Sequence, residues 1–322
     1  MQNKIVILGA GESGNGTAIL AKKKGYNVFV SDIGNISDRT KDCFDQLGID
    51  WEENRHTLSK MYGAQYVMKS PGISSKNPLL NAIKSLKIPV LSEIEFASKY
   101  TDATLIGITG SNGKTTTAML THHILKAAGF DVGLAGNIGN SFAKEVAEND
   151  HKYYVLEISS FQLDDIINFA PKIGVITNIT PDHLDSYDHD FSKYLKSKLR
   201  INQNQTERDF LLFNADDPKL NKAIKQIDTP ATIHSFGTRF KDSNSTHLNN
   251  DQIVQIMQKQ QEKLQEFSKL LQEKDITINR LQTELNNSRS MNEKMNQILE
   301  MLQNQNQNQN QNSNQNDTTN SI

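Results

Sequence analysis

The sequence predicts an α/β protein in which strands alternate with helices. Two glycine-rich turns support this prediction, because each follows a short apolar run and precedes a helical stretch. The turns lie at residues 9–14 and 109–116, after apolar runs at 4–8 and 104–108. The alternation continues through residues 1–237, which is typical of parallel sheets covered on both faces. Glycine turns at the carboxyl ends of such strands are common ligand sites.

The second turn, T-G-S-N-G-K-T-T at residues 109–116, is typical of a phosphate-binding loop. Gly110 and Gly113 let the backbone N–H groups point inward, and the dipole of the following helix favours an anion at the same place. Lys114 would contact the outer phosphates, and the Thr115 hydroxyl would hold a magnesium ion. A tight turn without a ligand is the alternative, but the flanking strand and helix favour nucleotide binding.

The first turn matches G-x-G-x-x-G and lies in a strand–helix–strand pattern that ends at Asp32. This pattern is typical of dinucleotide-binding domains, in which an acid about twenty residues after the motif contacts a ribose. It predicts a site for a nucleotide or a nucleotide sugar. Two alternatives stay open: close packing of the helix on the strand without a ligand, and a nicotinamide-dependent oxidoreductase, which the phosphate loop disfavours.

Three later segments carry polar side chains that suit a catalytic site. Glu157 lies in an apolar run, where a carboxylate is costly to bury unless it is paired or binds a metal. His183 stands between two acids after a strand predicted at 174–179, where it could contact a phosphate or a metal. Lys198 lies on an amphipathic helix predicted at 191–201. The simpler alternatives are a hydrogen-bonded acid, a solvated histidine and a basic solvent-facing helix.

The composition narrows the class of protein. At 322 residues the chain is long enough for about two domains, and a net charge of -2 gives no overall attraction to nucleic acid or to an anionic membrane. The single cysteine, Cys43, excludes an intrachain disulfide and predicts a reducing, cytoplasmic compartment. No apolar run approaches the ~20 residues that a membrane span needs. We therefore expect a cytoplasmic protein without nucleic-acid or membrane partners.

The composition changes after Gly237, beyond which the chain has no glycine or proline. Residues 253–302 carry an apolar heptad pattern with polar interruptions, which predicts a coiled coil and self-association through it. Residues 303–322 are rich in glutamine and asparagine, and we expect them to be disordered. Residues 241–252 would form the linker before this helical region.

Seven motifs occur in the order and spacing of one enzyme family: G-A-G-E-S-G, S-P-G-I, T-G-S-N-G-K-T-T, G-N-I-G, L-E-I-S-S-F-Q-L, N-I-T-P-D-H-L-D and S-K-L-R-I. On these residues the chain resembles the Mur ligases over about residues 1–240. The resemblance implies a cytoplasmic ligase that uses ATP and Mg²⁺ in peptidoglycan precursor synthesis, and thus in cell wall biogenesis, cell shape and cell division. The implied reaction adds D-glutamate to UDP-N-acetylmuramoyl-L-alanine by way of an acyl phosphate.

The resemblance also implies roles for individual residues. The ATP loop would consist of Gly110, Ser111, Asn112, Gly113, Lys114, Thr115 and Thr116. The catalytic residues would be Lys114, His183 and Lys198. The metal ligands would be Thr115, Glu157, His183 and Lys198, with Lys198 carbamylated. The UDP substrate would lie against Gly11, Ser13, Gly14, Asp32, Ser70, Pro71, Gly72, Asn137, Ser159 and Gln162.

The implied domains are a Rossmann-like UDP-substrate-binding domain at residues 1–93 and a truncated P-loop ATPase domain of the Mur ligase type at 94–240. We expect no counterpart here of the family's C-terminal domain, which supplies the amino-acid site, so turnover would need a replacement for it. The alternative function is a catalytically incomplete protein that binds a nucleotide and a UDP-sugar and oligomerises through its coiled coil.

Overall fold

The computed structural model describes most of the region in which the motifs lie. The described residues are 3–74, 76–149, 151–238 and, for their backbone, 245–246. The predicted coiled coil at 253–302 and the predicted tail at 303–322 lie outside the described residues, as does most of the predicted linker at 241–252. In the described part of the chain, no helix is both long enough and apolar enough to cross a membrane.

Five parallel strands and three helices form the first sheet and its cover: β1 (Lys4–Leu8), α1 (Glu12–Lys23), β2 (Asn27–Ser31), α2 (Asp38–Leu47), β3 (Asp50–Glu52), β4 (Tyr66–Lys69), α3 (Pro78–Ser85) and β5 (Val90–Leu91). The strand order is β3-β2-β1-β4-β5. Strand β1 lies at the centre, and its residues 5–8 are completely buried. Because the strand order reverses beside β1, the carboxyl end of β1 is the expected ligand position in this sheet.

The second sheet has seven parallel strands and follows a short helix. Its elements are α4 (Glu93–Ala97), β6 (Thr104–Thr109), α5 (Lys114–Ala127), β7 (Val132–Gly136), α6 (Phe142–Glu148), β8 (Tyr153–Glu157), α7 (Ser160–Asp164), β9 (Ile173–Ile176), α8 (Phe191–Leu199), β10 (Phe210–Asn214), α9 (Pro218–Ile224), β11 (Thr232–Phe236) and β12 (Ser245–Thr246). The strand order is β12-β11-β10-β9-β6-β8-β7. Strand β12 lies within the predicted linker at 241–252, so the sheet continues past the predicted domain end.

The pairing register of the second sheet brings three strand ends together. Ile108 of β6 pairs with Glu157 of β8, and Thr109 of β6 pairs with Ile176 of β9. Since parallel strands end at the same edge of a sheet, the loops after β6, β8 and β9 meet there. This edge carries the motifs that the sequence singled out.

The α/β class with parallel sheets is confirmed, while several element limits differ from those predicted. The strand predicted at 174–179 ends at Ile176, because the next residues bind the neighbouring loop. The helix predicted at 191–201 ends at Leu199 and continues as a 3₁₀ turn, Arg200–Asn202. The sequence did not predict α2, β3, α3, α6 or β11. The predicted domain limit at residues 93 and 94 falls inside α4, and it stays a prediction.

Helix α4 joins the two sheets through buried carboxylates. The Glu95 side chain is completely buried, and its Oε2 accepts hydrogen bonds from three successive backbone N–H groups, those of Ile167, Asn168 and Phe169, at 2.7–2.9 Å. These bonds satisfy the buried N–H group of Phe169 and the partly buried N–H groups of Ile167 and Asn168. The loop before β9 therefore depends on α4 for its conformation.

We expect Glu95→Ala to lower the free energy of unfolding by roughly 3–5 kcal/mol, because it leaves three N–H groups unpaired and removes a buried side chain. Urea unfolding followed by circular dichroism measures this change. The exposed Glu207 offers a control, since Glu207→Ala should shift the value by less than about 0.5 kcal/mol. Equal effects of the two substitutions would contradict the role given to Glu95.

Candidate active site

The glycine turn after β6 has the conformation of an anion-binding loop. Gly110 has a φ of +148° and Gly113 a φ of +78°, both of which favour glycine. A β-carbon on Gly110 would overlap the Thr177 hydroxyl, whereas Gly113 has open space around it. The loop leads directly into α5, which begins at Lys114, so the positive end of the helix dipole faces the loop.

The loop that follows β9 holds the phosphate loop in place. The backbone N–H of Asn112 donates to Asn178 Oδ1, and Asn178 Nδ2 donates to the Asn112 carbonyl, both at 2.9 Å. Thr177 Oγ1 donates to the same carbonyl at 2.7 Å. The Ser111 hydroxyl donates to the Thr180 carbonyl at 2.8 Å and accepts from the Thr180 N–H at 2.9 Å. These bonds fix the loop before any ligand arrives.

The carboxylate of Glu157 meets the phosphate loop at the edge of the sheet. Thr115 Oγ1 donates to Glu157 Oε2 at 2.7 Å, and Asn137 Nδ2 donates to Glu157 Oε1 at 3.0 Å. Glu157 is almost completely buried. The structure thus brings together the two residues that the sequence proposed as a metal pair, and it places Asn137 beside them. Two oxygen atoms of this kind suit magnesium, which prefers oxygen ligands.

Two lysines approach the loop from different sides. Lys114 Nζ donates to the Ser111 carbonyl at 2.9 Å, so this side chain folds over its own loop. Lys198 is almost completely buried, lies 3.5 Å from Thr109 Oγ1 and packs over the Tyr194 ring at 4.9 Å. Burial, together with repulsion by Lys114, lowers the pKa of Lys198 to about 7. A solvated basic face is therefore the wrong description of Lys198.

His183 lies in the loop after β9 but is not buried as Glu157 and Lys198 are. Its Nε2 is 3.6 Å from Asp182 Oδ2, its ring packs on Phe161 at 5.3 Å between centroids, and its side chain is 55% exposed. The backbone φ of His183 is +50°, which is uncommon outside glycine and marks a constrained turn. Its predicted contact with metal or phosphate stays a prediction.

Ser159 and Gln162 form a helix cap. The Ser159 hydroxyl accepts from the Gln162 N–H at 3.2 Å, and Gln162 Oε1 accepts from the Ser159 N–H at 3.0 Å. This reciprocal pair is a capping box that starts α7. Gln162 Nε2 is buried without a hydrogen-bond partner among the described residues.

The glycine turn after β1 borders a separate cavity of about 660 Å³ that includes Gly11 and Asp32 in its lining. Asp32 Oδ2 accepts from the Ala10 N–H at 2.6 Å, and Oδ1 accepts from the Gly34 N–H at 2.7 Å. Asp32 thus holds the turn as well as facing the cavity. A β-carbon on Gly14 would overlap the backbone of the turn, so Gly14 serves the close packing of α1 on β1.

The residues of the S-P-G turn after β4 have two different surroundings. Ser70 lies against Gly9 of the first glycine turn, where a β-carbon on Gly9 would overlap its hydroxyl. Pro71 and Gly72 line a smaller cavity of about 140 Å³, with Phe161 of the second sheet in its lining. That cavity and the one beside Asp32 have no lining residue in common.

No group of three or more histidine, cysteine, aspartate or glutamate side chains that could hold a metal occurs in the described parts of residues 3–238. The proposed ligand set does not require one, because two of its four members are a threonine and a lysine. The convergence of Thr115 and Glu157 is the observation that supports a magnesium ion here.

Comparison with known proteins identifies the family. The family model described as the Mur ligase middle domain matches residues 108–281, which is more than half of the chain. The model of the MurD N-terminal domain matches residues 4–79. This chain belongs to the Mur ligase family. The first match continues past residue 240, the predicted end of the resemblance.

Two relatives of this Mur ligase are enzymes named UDP-N-acetylmuramoylalanine--D-glutamate ligase. The one from Christiangramia forsetii is 50% identical over 254 residues, which cover 79% of this chain and 57% of that enzyme. The one from Bacteroides fragilis is 49% identical over 251 residues, which cover 78% of this chain and 56% of that enzyme. The chain therefore spans little more than half the length of these relatives.

The fold is similar to that of UDP-N-acetylmuramate:L-alanyl-gamma-D-glutamyl-meso-diaminopimelate ligase from Neisseria meningitides. The TM-score is 0.53 at 19% sequence identity, and the likeness covers 76% of this chain and 82% of that one. At this identity the similarity shows a shared fold and nothing finer. It agrees with the Mur ligase assignment that the sequence matches establish.

Reasoning from the sequence missed the residues that hold the phosphate loop. Thr177 and Asn178 bind its carbonyl and N–H groups, and the buried Tyr194 hydroxyl lies 3.0 Å from Ser111 Oγ. The motif N-I-T-P-D-H-L-D begins at Asn178, so a signal for the asparagine was present. Nothing in the sequence marked Thr177, because its contact depends on the pairing of β6 with β9.

We expect Gly110→Ala to weaken ATP binding roughly tenfold or more, because the added β-carbon overlaps Thr177 and the backbone is in a glycine-only region. Isothermal titration calorimetry with ATP and Mg²⁺ measures the change. Gly129→Ala is the matched control: Gly129 also has a positive φ, +82°, but open space around it. Undiminished binding by Gly110→Ala would refute the proposed loop constraint.

Proposed function

We propose that this Mur ligase chain carries the ATP site and the UDP-substrate site of a ligase that joins D-glutamate to UDP-N-acetylmuramoyl-L-alanine. The observation that carries the proposal is the convergence of the phosphate loop, the Thr115–Glu157 pair and the buried Lys198 at one sheet edge. The two relatives named for this reaction support the choice of substrates. The proposed setting is peptidoglycan precursor synthesis in the cytoplasm.

The proposed reaction has two transfers. A carboxylate oxygen of the UDP substrate attacks the terminal phosphorus of ATP, and the bond from that phosphorus to ADP breaks. The amine nitrogen of D-glutamate then attacks the acyl carbon and loses a proton, and inorganic phosphate leaves. In such reactions the protein mainly positions the reactants and neutralises charge.

The residues around the loop would divide this work. The backbone N–H groups of the loop would bind the phosphates, and Lys114 would release the Ser111 carbonyl to contact them. Magnesium, when bound, would neutralise phosphate charge, and the oxygens of Thr115 and Glu157 fit it because they already converge. His183 is the further metal or phosphate contact in this proposal.

Lys198 would act as a carbamate in the proposed site. Only a neutral amine reacts with carbon dioxide, and a pKa of about 7 leaves a large neutral fraction at neutral pH. The product is an anion that can bind a cation, where an ammonium group would repel it. The proposal is supported by the 3.5 Å distance from Lys198 Nζ to Thr109 Oγ1, since Thr109 ends the strand that leads into the phosphate loop.

The UDP substrate would occupy the cavity beside Asp32 and extend toward the second sheet. Gly11, the N-cap of α1, and Ser13 and Gly14 in the first turn of that helix would lie at one end of this path. Ser70, Pro71 and Gly72 would border it, although the structure puts Pro71 and Gly72 in a different cavity. Asn137 would lie near the ATP side, because it donates a hydrogen bond to Glu157. Ser159 and Gln162 follow β8, the strand that ends at Glu157.

We expect the purified chain to release phosphate only when ATP, Mg²⁺, UDP-N-acetylmuramoyl-L-alanine and D-glutamate are all present. Lys114→Ala should lower the rate at least about a hundredfold, because a cation on the transferred phosphate is lost. Lys126→Ala, at the exposed end of the same helix, is the control and should keep the rate within about twofold. A colorimetric phosphate assay gives the rates.

Two results would contradict this function. Phosphate release without D-glutamate would indicate an ATPase. No release, with UDP-substrate binding still measurable by calorimetry, would favour the alternative of a binding protein that oligomerises through residues 253–302. That self-association stays a prediction.

We expect Glu157→Gln to raise the Mg²⁺ concentration for half-maximal ATP binding about tenfold, because an amide is a weaker ligand than a carboxylate. Calorimetric titrations of ATP at several Mg²⁺ concentrations measure it. The exposed Glu207→Gln serves as control and should leave the Mg²⁺ dependence unchanged. If Glu157→Gln behaves like this control, Glu157 is not a magnesium ligand.

A further inference from the structure

Helix α6 is fixed to α4 by a second buried carboxylate. Glu93 is completely buried, and its Oε1 accepts from Ser141 Oγ at 2.5 Å and from the Ala143 N–H at 3.0 Å. Ser141 is the N-cap of α6, and its hydroxyl also accepts from the Lys144 N–H at 3.1 Å. One carboxylate oxygen thus holds the first turn of α6.

On its other side, α6 lies against α1 of the first sheet. A β-carbon on Gly16 would overlap the Ser141 side chain and press on the Lys144 N–H, so the two helices meet at a place where only glycine fits. Lys23 Nζ adds a hydrogen bond to the Ala147 carbonyl at 2.8 Å. Helix α6 is therefore held between α1 and α4, with Ser141 at the centre of the contact.

This position makes α6 part of the cavity beside Asp32. Gly11 and Asp32 of the first sheet line that cavity together with Lys144 and Glu148 of α6. A shift of α6 would move Lys144, which is the cation that the second sheet contributes to the cavity. Its ammonium group suits the diphosphate of a nucleotide sugar.

We infer that Glu93 is a positioning residue for the UDP-substrate cavity: through Ser141 and Ala143 it holds α6 against α1 and so sets the wall that carries Lys144. This inference rests on the proposed function, since it takes the cavity beside Asp32 as the UDP-substrate site. It assigns Glu93 a role in the binding of the UDP substrate and none in the binding of ATP.

Glu95 allows that role to be separated from a purely structural one. Both carboxylates lie on α4 and are completely buried; Glu93 accepts the Ala143 N–H in the first turn of α6, and Glu95 accepts N–H groups of the loop before β9. Glu95 binds residues 167–169, none of which lines the cavity beside Asp32. Loss of either glutamate destabilises the fold, but only loss of Glu93 displaces α6.

The test compares dissociation constants for UDP-N-acetylmuramoyl-L-alanine and for ATP with Mg²⁺, measured by calorimetry on the full chain. Glu93→Ala should weaken binding of the UDP substrate about tenfold or more and leave ATP binding within about twofold. Gly16→Ala, whose β-carbon would overlap Ser141 and so displace α6 from α1, should give the same pattern. Glu93→Gln should restore UDP-substrate binding, because its amide oxygen can accept the same two hydrogen bonds.

Glu95→Ala should leave the ratio of the two dissociation constants unchanged. The inference is overturned if Glu93→Ala and Gly16→Ala weaken both ligands equally or neither, or if Glu95→Ala gives the same selective loss. Should Glu93→Ala fail to fold, Gly16→Ala decides. If the unmodified chain does not bind the UDP substrate, the proposed function fails as well, whereas normal binding with unaffected variants removes only the role of Glu93.

Discussion

The close approach of Gly110 to Thr177 is the constraint on which the nucleotide site depends. The backbone of the phosphate loop passes so near to the end of β9 that no side chain fits at Gly110. Thr177 and Asn178 both donate hydrogen bonds to the Asn112 carbonyl, and these bonds fix the conformation of the loop before α5. With the loop fixed in this way, Thr115 points to Glu157 at the end of β8.

The second constraint is the burial of two carboxylates on α4. A buried carboxylate is costly unless it is hydrogen-bonded; Glu93 accepts a backbone N–H from the first turn of α6, and Glu95 accepts three from the loop before β9. Burial raises the pKa of Glu93, while hydrogen bonds with Ser13, Ser141 and Ala143 oppose that rise. The five-residue helix α4 thus contacts both α6 and the loop before β9 through its two buried glutamates. The consequence is a fixed relation between α4 and the elements that border the proposed UDP-substrate cavity.

The sequence predicts the parts of this site that arise from local chemistry. Gly110, Gly113 and Lys114 are visible because a turn with positive φ angles needs glycine, and a carboxylate such as Glu157 stands out in an apolar strand. Thr177 is not visible, since its role comes from the register of two strands 68 residues apart in the chain. Helix α2 was not predicted although local signals mark both of its ends: the Ser37 side chain caps its start, and Gly48 ends it in a left-handed conformation.

Our central proposal is that the two glycine turns hold two different ligands at fixed positions. A crystal structure with Mg²⁺, a non-hydrolysable ATP analogue and UDP-N-acetylmuramoyl-L-alanine tests this claim most directly. We expect density for the triphosphate on residues 110–116, for a cation between Thr115 and Glu157, and for the uridine nucleotide in the cavity beside Asp32. Density for the ATP analogue beside Asp32, or a phosphate loop without a ligand at saturating concentrations, would contradict it.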